Sequence, residues 1–410
     1  MLQPISGSSR LRSVRYDIRG PLNARALELE QQGHRIIKLN IGNPGLFGFE
    51  VPQNVREAIR NQLERGEAYC HQQGLQASRE AIVAQQIQRH VPHPHPGQVF
   101  IGNGVSELID IALRALLEPG DEVLIPAPDY PLWTAAVHLN AGVPVHYACP
   151  PERNGVPDVE AIAAAVTRRT RAIVVINPNN PTGAVYPREV LAGIARIAEQ
   201  HGLVVFTDEI YDGLTFDGAE FVPLAPLVHD TLCVTMSGLS KVWRACGYRV
   251  GWMSLSGALK PAREYHRALD LLSALRLCSN VPGQLAIPAA LASWDNAQNL
   301  TAPGGRLFET RKAVLEGVQQ SPWLSTPLPS GAMYAFPGVN LPDFDDQRFA
   351  LDLLEHKHIL VVPGSSFNVP YRNHFRITLL PEAPLIRQVL REIDDLLAAM
   401  AGARARDAVA

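Results

Sequence analysis

The chain of 410 residues lacks the features that mark membrane, secreted and nucleic-acid-binding proteins. No apolar run approaches the roughly 20 residues that span a bilayer, and no apolar stretch near the start predicts a secretory signal. A formal net charge of −3 gives no excess of positive charge for nucleic acid or anionic lipid. The cysteines form no CxxC pair and are odd in number, as is typical of reduced thiols. We therefore expect a soluble, cytoplasmic protein that binds neither nucleic acid nor a membrane.

Lysine is also scarce: only five of the 37 Lys and Arg residues are lysines. One of them, Lys241, follows the apolar run 232–236, which reads as a buried strand. A lysine amine can lose its proton and attack a carbonyl carbon, whereas an arginine guanidinium cannot. Lys241 therefore predicts a Schiff-base nucleophile. A lysine whose ammonium group simply reaches the surface is the alternative that this residue alone leaves open.

Strands and helices alternate from residue 99 onward, which predicts an α/β fold with a mainly parallel sheet covered by helices on both faces. The predicted strands are 99–101, 122–126, 143–148, 172–176, 203–207, 231–236 and 248–255. An earlier strand is predicted at 39–41. The predicted helices are 22–32, 52–65, 76–90, 106–117, 187–200 and 304–318.

The residues after about 300 differ from this pattern and predict a second, smaller α/β domain. We expect an N-terminal segment, residues 1–50, that forms part of the small domain. Residues 51–302 are predicted to form the large domain, and residues 303–410 the C-terminal small domain.

Polar or reactive residues follow four of the predicted strands, namely Gly104, Asn180, Asp208 and Lys241. In sheets of this kind ligands bind beyond the carboxyl ends of the strands. Four such positions converging on one crevice favour a functional site over a surface role for the lysine.

The segment 102–106, Gly-Asn-Gly-Val-Ser, is a strand–turn–helix junction that predicts a site for a single phosphate group. Residue 107 is Glu where a dinucleotide fingerprint needs Gly, and a Gly-Lys-Ser/Thr sequence is absent here. Arg249 offers a bidentate cation for the same phosphate, a surface ion pair being the alternative.

Asp208 ends a buried apolar run and therefore needs a cationic partner. A metal would require further ligands, and the adjacent Glu209 faces the other way by strand alternation, so no metal site is predicted. A protonated ring nitrogen fits, which indicates a pyridine cofactor. Asn180 and Tyr211 offer donors to a phenolate-like oxygen, and Tyr130 offers an aromatic face, although a core role for either tyrosine remains open.

Three segments resemble class I aminotransferases of pyridoxal-phosphate fold type I: 177–183 (NPNNPTG), 208–211 (DEIY) and 240–249, from Ser-Lys to Arg. Their order and spacing match over nearly the whole chain. The segments 16–21, 39–44 and 126–133 are similar to those of bacterial glutamate–pyruvate (alanine) aminotransferases. The resemblance implies a pyridoxal 5′-phosphate-dependent transferase of fold type I, and a homodimer with active sites at the interface.

The resemblance also implies how the cofactor is held. Lys241 would bond its aldehyde and then move the Cα proton, while Asp208 would keep the ring nitrogen charged. Asn180 and Tyr211 would bond the ring hydroxyl oxygen, and Tyr130 would stack on the ring. The phosphate would be surrounded by Gly104, Val105, Ser106, Ser240 and Arg249, with Tyr69 from the partner subunit.

Arg376 matches the arginine that binds the substrate α-carboxylate, with the backbone of Gly42 and the side chain of Asn180 assisting. Gly238 departs from the pattern, because many relatives carry a serine three residues before the lysine, and Ser237 is the expected substitute. Arg19 is predicted to bind the second carboxylate of glutamate, a surface charge beside a helix being the alternative.

The closest resemblance implies transfer of the amino group of L-alanine to 2-oxoglutarate, giving pyruvate and L-glutamate. Both substrates are small molecules, an amino acid and a 2-oxo acid. Three alternatives remain at this point: an aminotransferase of a specialised biosynthetic pathway with another donor, a pyridoxal-phosphate-dependent C–S lyase, and a binding module that kept the fold.

Overall fold

The computed structural model describes residues 5–293 and 298–407, with side chains to residue 402. The strands are β1 Ile37–Lys38, β2 Val99–Gly102, β3 Glu122–Ala127, β4 Val143–Ala148, β5 Thr170–Ile176, β6 Val204–Asp208, β7 Leu232–Gly238, β8 Gly251–Gly257, β9 Leu324–Ser325, β10 Tyr334–Ala335, β11 Gly338–Val339, β12 Ile359–Leu360, β13 Val362–Pro363 and β14 Phe375–Thr378.

The helices are α1 Pro21–Gln31, α2 Gln53–Arg60, α3 Gln76–Gln88, α4 Val105–Leu116, α5 Leu132–Leu139, α6 Val159–Ala165, α7 Arg188–His201, α8 Arg263–Leu275, α9 Val281–Gln284, α10 Ile287–Leu291, α11 Gln298–Thr301, α12 Arg306–Gln320, α13 Asp346–Lys357 and α14 Ala383–Asp407. Single 3-10 turns include Asp17–Arg19, Leu63–Gly66, Cys246–Tyr248 and Gly364–Phe367. No helix among the described residues is long and apolar enough to cross a membrane.

A seven-stranded sheet in the order β2-β8-β7-β6-β5-β3-β4 forms the centre of the molecule. Its strands are rich in β-branched residues, and their side chains alternate between two buried layers. Val123 and Ile125 pack with α4 and α5 on one face, whereas Leu124 packs with α6 and α7 on the other. The predicted α/β class, with helices on both faces of a mainly parallel sheet, is confirmed.

β8 is the exception to the parallel arrangement, since it runs antiparallel to both neighbours, β2 and β7. It begins at Gly251 rather than at residue 248 as predicted. The reason is local: Cys246–Tyr248 forms a 3-10 turn, and Arg249 has a left-handed φ of 52°. That conformation turns the chain back toward the end of β7.

Two other expectations were wrong in detail. The predicted strand at 39–41 lies earlier, at Ile37–Lys38, because these residues pair in parallel with Ile359–Leu360. The predicted helix 52–65 is interrupted after residue 60, and a separate 3-10 turn follows at Leu63–Gly66. The stretch before residue 142, for which the sequence pattern predicts no element, contains α5.

The residues after 320 form small sheets that pack beside the carboxyl edge of the large sheet. One has the order β10-β14-β13, and β1 pairs with β12, which joins the N-terminal segment to this region. A shared core cluster unites the two regions, since Trp243 and Trp252 lie in the same cluster as Phe349 and Phe375. The functional residues of both regions therefore meet at one edge.

Candidate active site

The carboxyl ends of β2, β5, β6 and β7 lie at the same edge of the large sheet, as predicted. Because β8 is antiparallel, its first residue also lies at this edge, which brings in Arg249. A cavity of about 600 Å³ opens there. The predicted residues that line it are Arg19, Gly42, Val105, Ser106, Tyr130, Asn180, Asp208, Tyr211, Ser240, Lys241, Arg249 and Arg376.

Lys241 follows β7 by three residues, and its Nζ donates a hydrogen bond to the carbonyl oxygen of Gly42 at 2.7 Å. The amine therefore lies in the cavity and not in bulk solvent. Gly42 approaches this site closely, because a Cβ on it would lie 2.1 Å from the hydroxyl oxygen of Tyr334. Only glycine fits at position 42 without moving that tyrosine.

Asp208 ends β6, is 4% exposed, and accepts a hydrogen bond from Trp133 Nε1 at 3.3 Å. Burial raises the pKa of Asp208 to about 6, and the Trp133 donor opposes the rise. Among the described residues no cation bonds its carboxylate. Glu209 turns to the opposite side and pairs with Arg89, as strand alternation predicts. A cationic ligand atom would complete the Asp208 site.

Arg376 is 1% exposed, and its guanidinium lies between two aromatic rings. The ring centroids of Tyr334 and Phe367 are 4.5 and 4.9 Å from its Cζ. Nη1 donates to Asn180 Oδ1 at 2.9 Å, and Nη2 donates to the carbonyl oxygen of Asn40. Nε has no hydrogen-bond partner in the described part of the chain. Burial lowers the pKa of Arg376, so this buried cation is suited to an anionic ligand.

The predicted phosphate site is the start of α4, whose first N–H groups have no partners within the helix. Gly104 precedes the helix with a φ of 84°, and a Cβ there would lie 2.2 Å from Arg249 Nη2. The Arg249 guanidinium is held against this loop, with Nη2 donating to the carbonyl oxygen of Asn103 at 3.3 Å. Glu107 turns back onto the same loop and accepts from the Asn103 backbone N–H at 2.7 Å.

Three predicted residues do not line the cavity of this chain: Gly104, Ser237 and Tyr69. Gly104 lies directly before the lining residues Val105 and Ser106. The buried hydroxyl of Ser237 has no hydrogen-bond partner among the residues that the structure describes, and it does not line the cavity, so the geometry gives no support to Ser237 as a substitute. No side chain fits at Gly238 either, because a Cβ would lie 2.6 Å from the carbonyl oxygen of Val250. Tyr69 is 79% exposed on the surface, and its predicted role in a partner subunit stays a prediction.

Sequence reasoning missed four residues of the site. The Tyr334 hydroxyl lies 3.0 Å from that of Tyr211, and the Tyr16 hydroxyl lies 2.8 Å from that of Tyr130. Trp133 bonds Asp208, and Phe367 stacks on the guanidinium of Arg376. Tyr16 and Trp133 stand in segments that carry the family resemblance, so attention to those segments would have found them. The other two follow no recognisable pattern.

No group of three or more His, Cys, Asp or Glu side chains is arranged to hold a metal ion in the parts of the chain that the structure describes. The cavity lining contains one carboxylate, Asp208, together with amides, tyrosines, a lysine and arginines.

The family model for class I and II aminotransferases matches residues 34–393, and the chain belongs to this family. The solved structures that it matches have the fold type I architecture, so the predicted fold type is confirmed.

Among its relatives, the glutamate-pyruvate aminotransferase AlaA of Escherichia coli K12 is 46% identical over 383 residues, which cover 93% of this chain and 95% of that protein. An alanine aminotransferase of Mycobacterium tuberculosis H37Rv is 44% identical over 378 residues, covering 91% and 88%. A crystal structure of an aminotransferase from Escherichia coli superimposes with a TM-score of 0.95 at 45% identity, covering 97% and 99%.

Proposed function

We propose that this protein catalyses pyridoxal-phosphate-dependent amino transfer from L-alanine to 2-oxoglutarate, giving pyruvate and L-glutamate. One observation carries the proposal: the Lys241 amine, the Asp208 carboxylate and the Arg376 guanidinium line the same cavity. The names of the relatives support this choice of substrates, since they are described as glutamate-pyruvate and alanine aminotransferases.

The cavity fits pyridoxal phosphate, because Asp208 is a buried carboxylate that no described cation bonds, and the start of α4 faces Arg249 across a glycine. Asp208 would hold the ring nitrogen, Asn180 and Tyr211 the ring oxygen, and Tyr130 would face the ring. The phosphate would contact Gly104, Val105, Ser106, Ser240 and Arg249, with Tyr69 contributed by a partner subunit. When bound, the cofactor supplies an aldehyde for the amino group and a ring that accepts electrons from the Cα–H bond.

The chain's own residues bind the substrate and move its proton. Arg376 would bind the α-carboxylate as a planar fork, with the backbone of Gly42 and the side chain of Asn180 assisting, which fixes the position of Cα. The Lys241 amine would take the proton from Cα of the amino donor and would deliver a proton to Cα in the reverse half-reaction. The cavity wall also contains apolar side chains that exclude water, namely Ile18, Ile41, Ile109, Ile176 and Ile210.

Arg19 is the candidate for the second carboxylate of glutamate and 2-oxoglutarate. It ends the 3-10 turn Asp17–Arg19, is exposed, and lines the mouth of the same cavity. A cation at this point adds attraction for a dicarboxylate without affecting alanine, which has only one carboxylate.

We further propose a homodimer. Five large apolar side chains are more than half exposed on two segments that touch, as the bond from Gln72 Nε2 to Asp270 Oδ1 at 3.0 Å indicates. They are Leu63, Tyr69, Leu271, Leu275 and Leu277. Such a patch on a soluble enzyme is suited to a protein interface. Sedimentation equilibrium should give twice the chain mass of 44.8 kDa, and a monomer would contradict the proposal.

A cytoplasmic location is proposed because all five cysteines are free thiols. The domain division is also a proposal: residues 51–302 as the large domain, with 1–50 and 303–410 forming the small one. The pairing of β1 with β12 supports this grouping.

The test is an amino-donor screen with 2-oxoglutarate as acceptor, together with the visible absorbance of the purified protein. We expect L-alanine to be the best donor, and Lys241→Ala to lose the absorbance of lysine-bound cofactor and nearly all turnover. A different best donor would contradict the substrate assignment. Turnover by Lys241→Ala at the wild-type rate would contradict the mechanism.

A further inference from the structure

Asp129 is a buried carboxylate outside the proposed catalytic residues. It lies in the turn between β3 and α5 and is completely shielded from solvent. Its Oδ2 accepts from Thr134 Oγ1 at 2.6 Å, and its Oδ1 accepts from Asn368 Nδ2 at 2.9 Å. Thr134 Oγ1 also lies 2.9 Å from His146 Nε2. A buried carboxylate without a cation is costly, so its hydrogen bonds must fix a specific arrangement.

The bonds of Asp129 join two distant parts of the chain. Asn368 directly follows the 3-10 turn Gly364–Phe367. The backbone N–H of Asp129 donates to the carbonyl oxygen of Phe367 at 3.2 Å, while the Asn368 amide donates in the opposite direction. Two hydrogen bonds, one donated from each side, therefore connect the turn at residue 129 to residues 367 and 368.

Each end of this connection contacts a residue that lines the cavity. Tyr130, the residue after Asp129, lines the cavity and meets the Tyr16 hydroxyl. Phe367 stacks on the guanidinium of Arg376, 4.9 Å from its Cζ. A change at residue 129 should therefore affect the position of Tyr130 and also that of Phe367, which stacks on Arg376.

We propose that Asp129 is a positioning residue for the substrate's α-carboxylate, which acts by holding Phe367, and through it Arg376, at a fixed place relative to Tyr130. The inference rests on the proposed function. Asp129 and Asn368 do not line the cavity, and the amine of Lys241 bonds the carbonyl oxygen of Gly42 and neither of these residues. Changes at Asp129 or Asn368 should therefore weaken substrate binding and leave proton removal by Lys241 unaffected.

The most informative variant is Asn368→Gly. Asn368 has a φ of 58°, a conformation that glycine adopts without strain, so this change removes the amide donor and leaves the backbone in place. We expect the KM for L-alanine and for 2-oxoglutarate to rise about tenfold each, equal to about 1.4 kcal/mol. We expect kcat to stay within about threefold and the absorbance of bound cofactor to be unchanged.

Ser365→Ala is the matched control. Ser365 Oγ donates to the buried carboxylate of Asp346 at 3.0 Å, so the variant removes a similar bond from the same turn, but one that connects it to α13 and not to Asp129. We expect it to lower the melting temperature without changing either KM. The inference is wrong if Asn368→Gly behaves in the same way as Ser365→Ala.

Asp129→Asn and Asp129→Ala provide a second, independent comparison. Asn keeps an acceptor oxygen for Asn368, so we expect KM values within about twofold of wild type. Ala removes the acceptor of both Asn368 and Thr134, so it should raise both KM values at least as much as Asn368→Gly does. Equal KM increases in the two variants would contradict the proposal. Wild-type turnover with alanine tests the proposed function separately. If another donor proves best, the same ratios are measured with that donor, because every amino acid carries the α-carboxylate.

Discussion

Arg89 is the partner of two buried carboxylates, Glu209 and Asp212, and its removal should strongly destabilise the fold. Its Nη1 lies 3.3 Å from Glu209 Oε2, and its Nη2 bonds the Asp212 carboxylate. The three side chains are only 11%, 1% and 0% exposed. Because Glu209 and Asp212 bracket Tyr211, this triad also holds the segment that contributes to the cavity.

Removal of one partner from a buried ion pair costs about 3–5 kcal/mol, because it leaves an uncompensated charge. An unfolding entropy of about 2.1 cal/mol/K per residue gives roughly 0.9 kcal/mol/K for a chain of 410 residues. We therefore expect Arg89→Ala to lower the melting temperature by about 4–6 °C.

The stability lost in Arg89→Ala should increase as the pH rises. Burial raises the pKa of Glu209 to about 7 and also raises that of Asp212, while Arg89 opposes both shifts. An acid with a higher pKa in the folded state favours folding when protonated, and this contribution is lost as pH rises through the folded-state pKa. Without Arg89 both pKa values rise further. The variant therefore continues to lose stability at pH values well above 7, where the carboxyl of Glu209 in the wild-type protein is already ionised and its contribution no longer changes. Each additional pKa unit adds about 1.4 kcal/mol to the difference.

The assay is calorimetry at fixed protein concentration and saturating pyridoxal phosphate, at about pH 6 and about pH 8.5. Arg153→Ala is the control, because Arg153 is 49% exposed and pairs with Asp158, which is 45% exposed. The control should shift the melting temperature by about one degree or less. The reasoning is refuted if both variants lose the same stability, or if the loss in Arg89→Ala is no larger at the higher pH.

Three further predictions concern the cavity. Arg376→Lys should raise the KM for L-alanine at least about 100-fold in steady-state assays, because a point charge cannot replace a bidentate fork; an increase below about tenfold would contradict that role. Gly104→Ala should weaken pyridoxal phosphate binding about tenfold or more in absorbance titrations, since its Cβ would meet Arg249 Nη2 at 2.2 Å in a left-handed backbone; unchanged affinity would argue against a phosphate site there. Arg19→Ala should raise the KM for glutamate more than that for alanine, and equal effects would remove Arg19 from this role.

The sheet edge could be predicted from sequence because parallel strands bring their carboxyl ends together. That rule alone predicts that Asn180, Asp208 and Lys241 lie close together, and all three line the cavity. Tyr334 and Phe367 could not be found in this way. They come from a two-residue strand and a 3-10 turn, whose positions depend on packing between distant segments and not on local periodicity.

Ser237 shows that the position of a side chain cannot be predicted even from an adjacent residue in the sequence. It is adjacent to Gly238 in sequence, but successive side chains of a strand point to opposite faces, so a neighbour does not replace a missing residue. The close approach of the Val250 carbonyl excludes any side chain at 238, a constraint that comes from the antiparallel partner strand β8. The contact between Gly238 and the Val250 carbonyl cannot be inferred from a sequence pattern that predicts only a mainly parallel sheet.

The electrostatics of the cavity explain why ligand binding and folding should be coupled here. The interior contains a carboxylate, Asp208, and a guanidinium, Arg376, each buried and neither forming an ion pair within the described residues. Each is costly to bury without a counter-charge. Under the proposed function, a protonated ring nitrogen of the cofactor would compensate the charge of Asp208, and a substrate carboxylate would compensate that of Arg376. Cofactor and substrate should therefore each stabilise the fold by an amount that grows with the logarithm of their concentration, and a dicarboxylate that cannot react should do so without turnover.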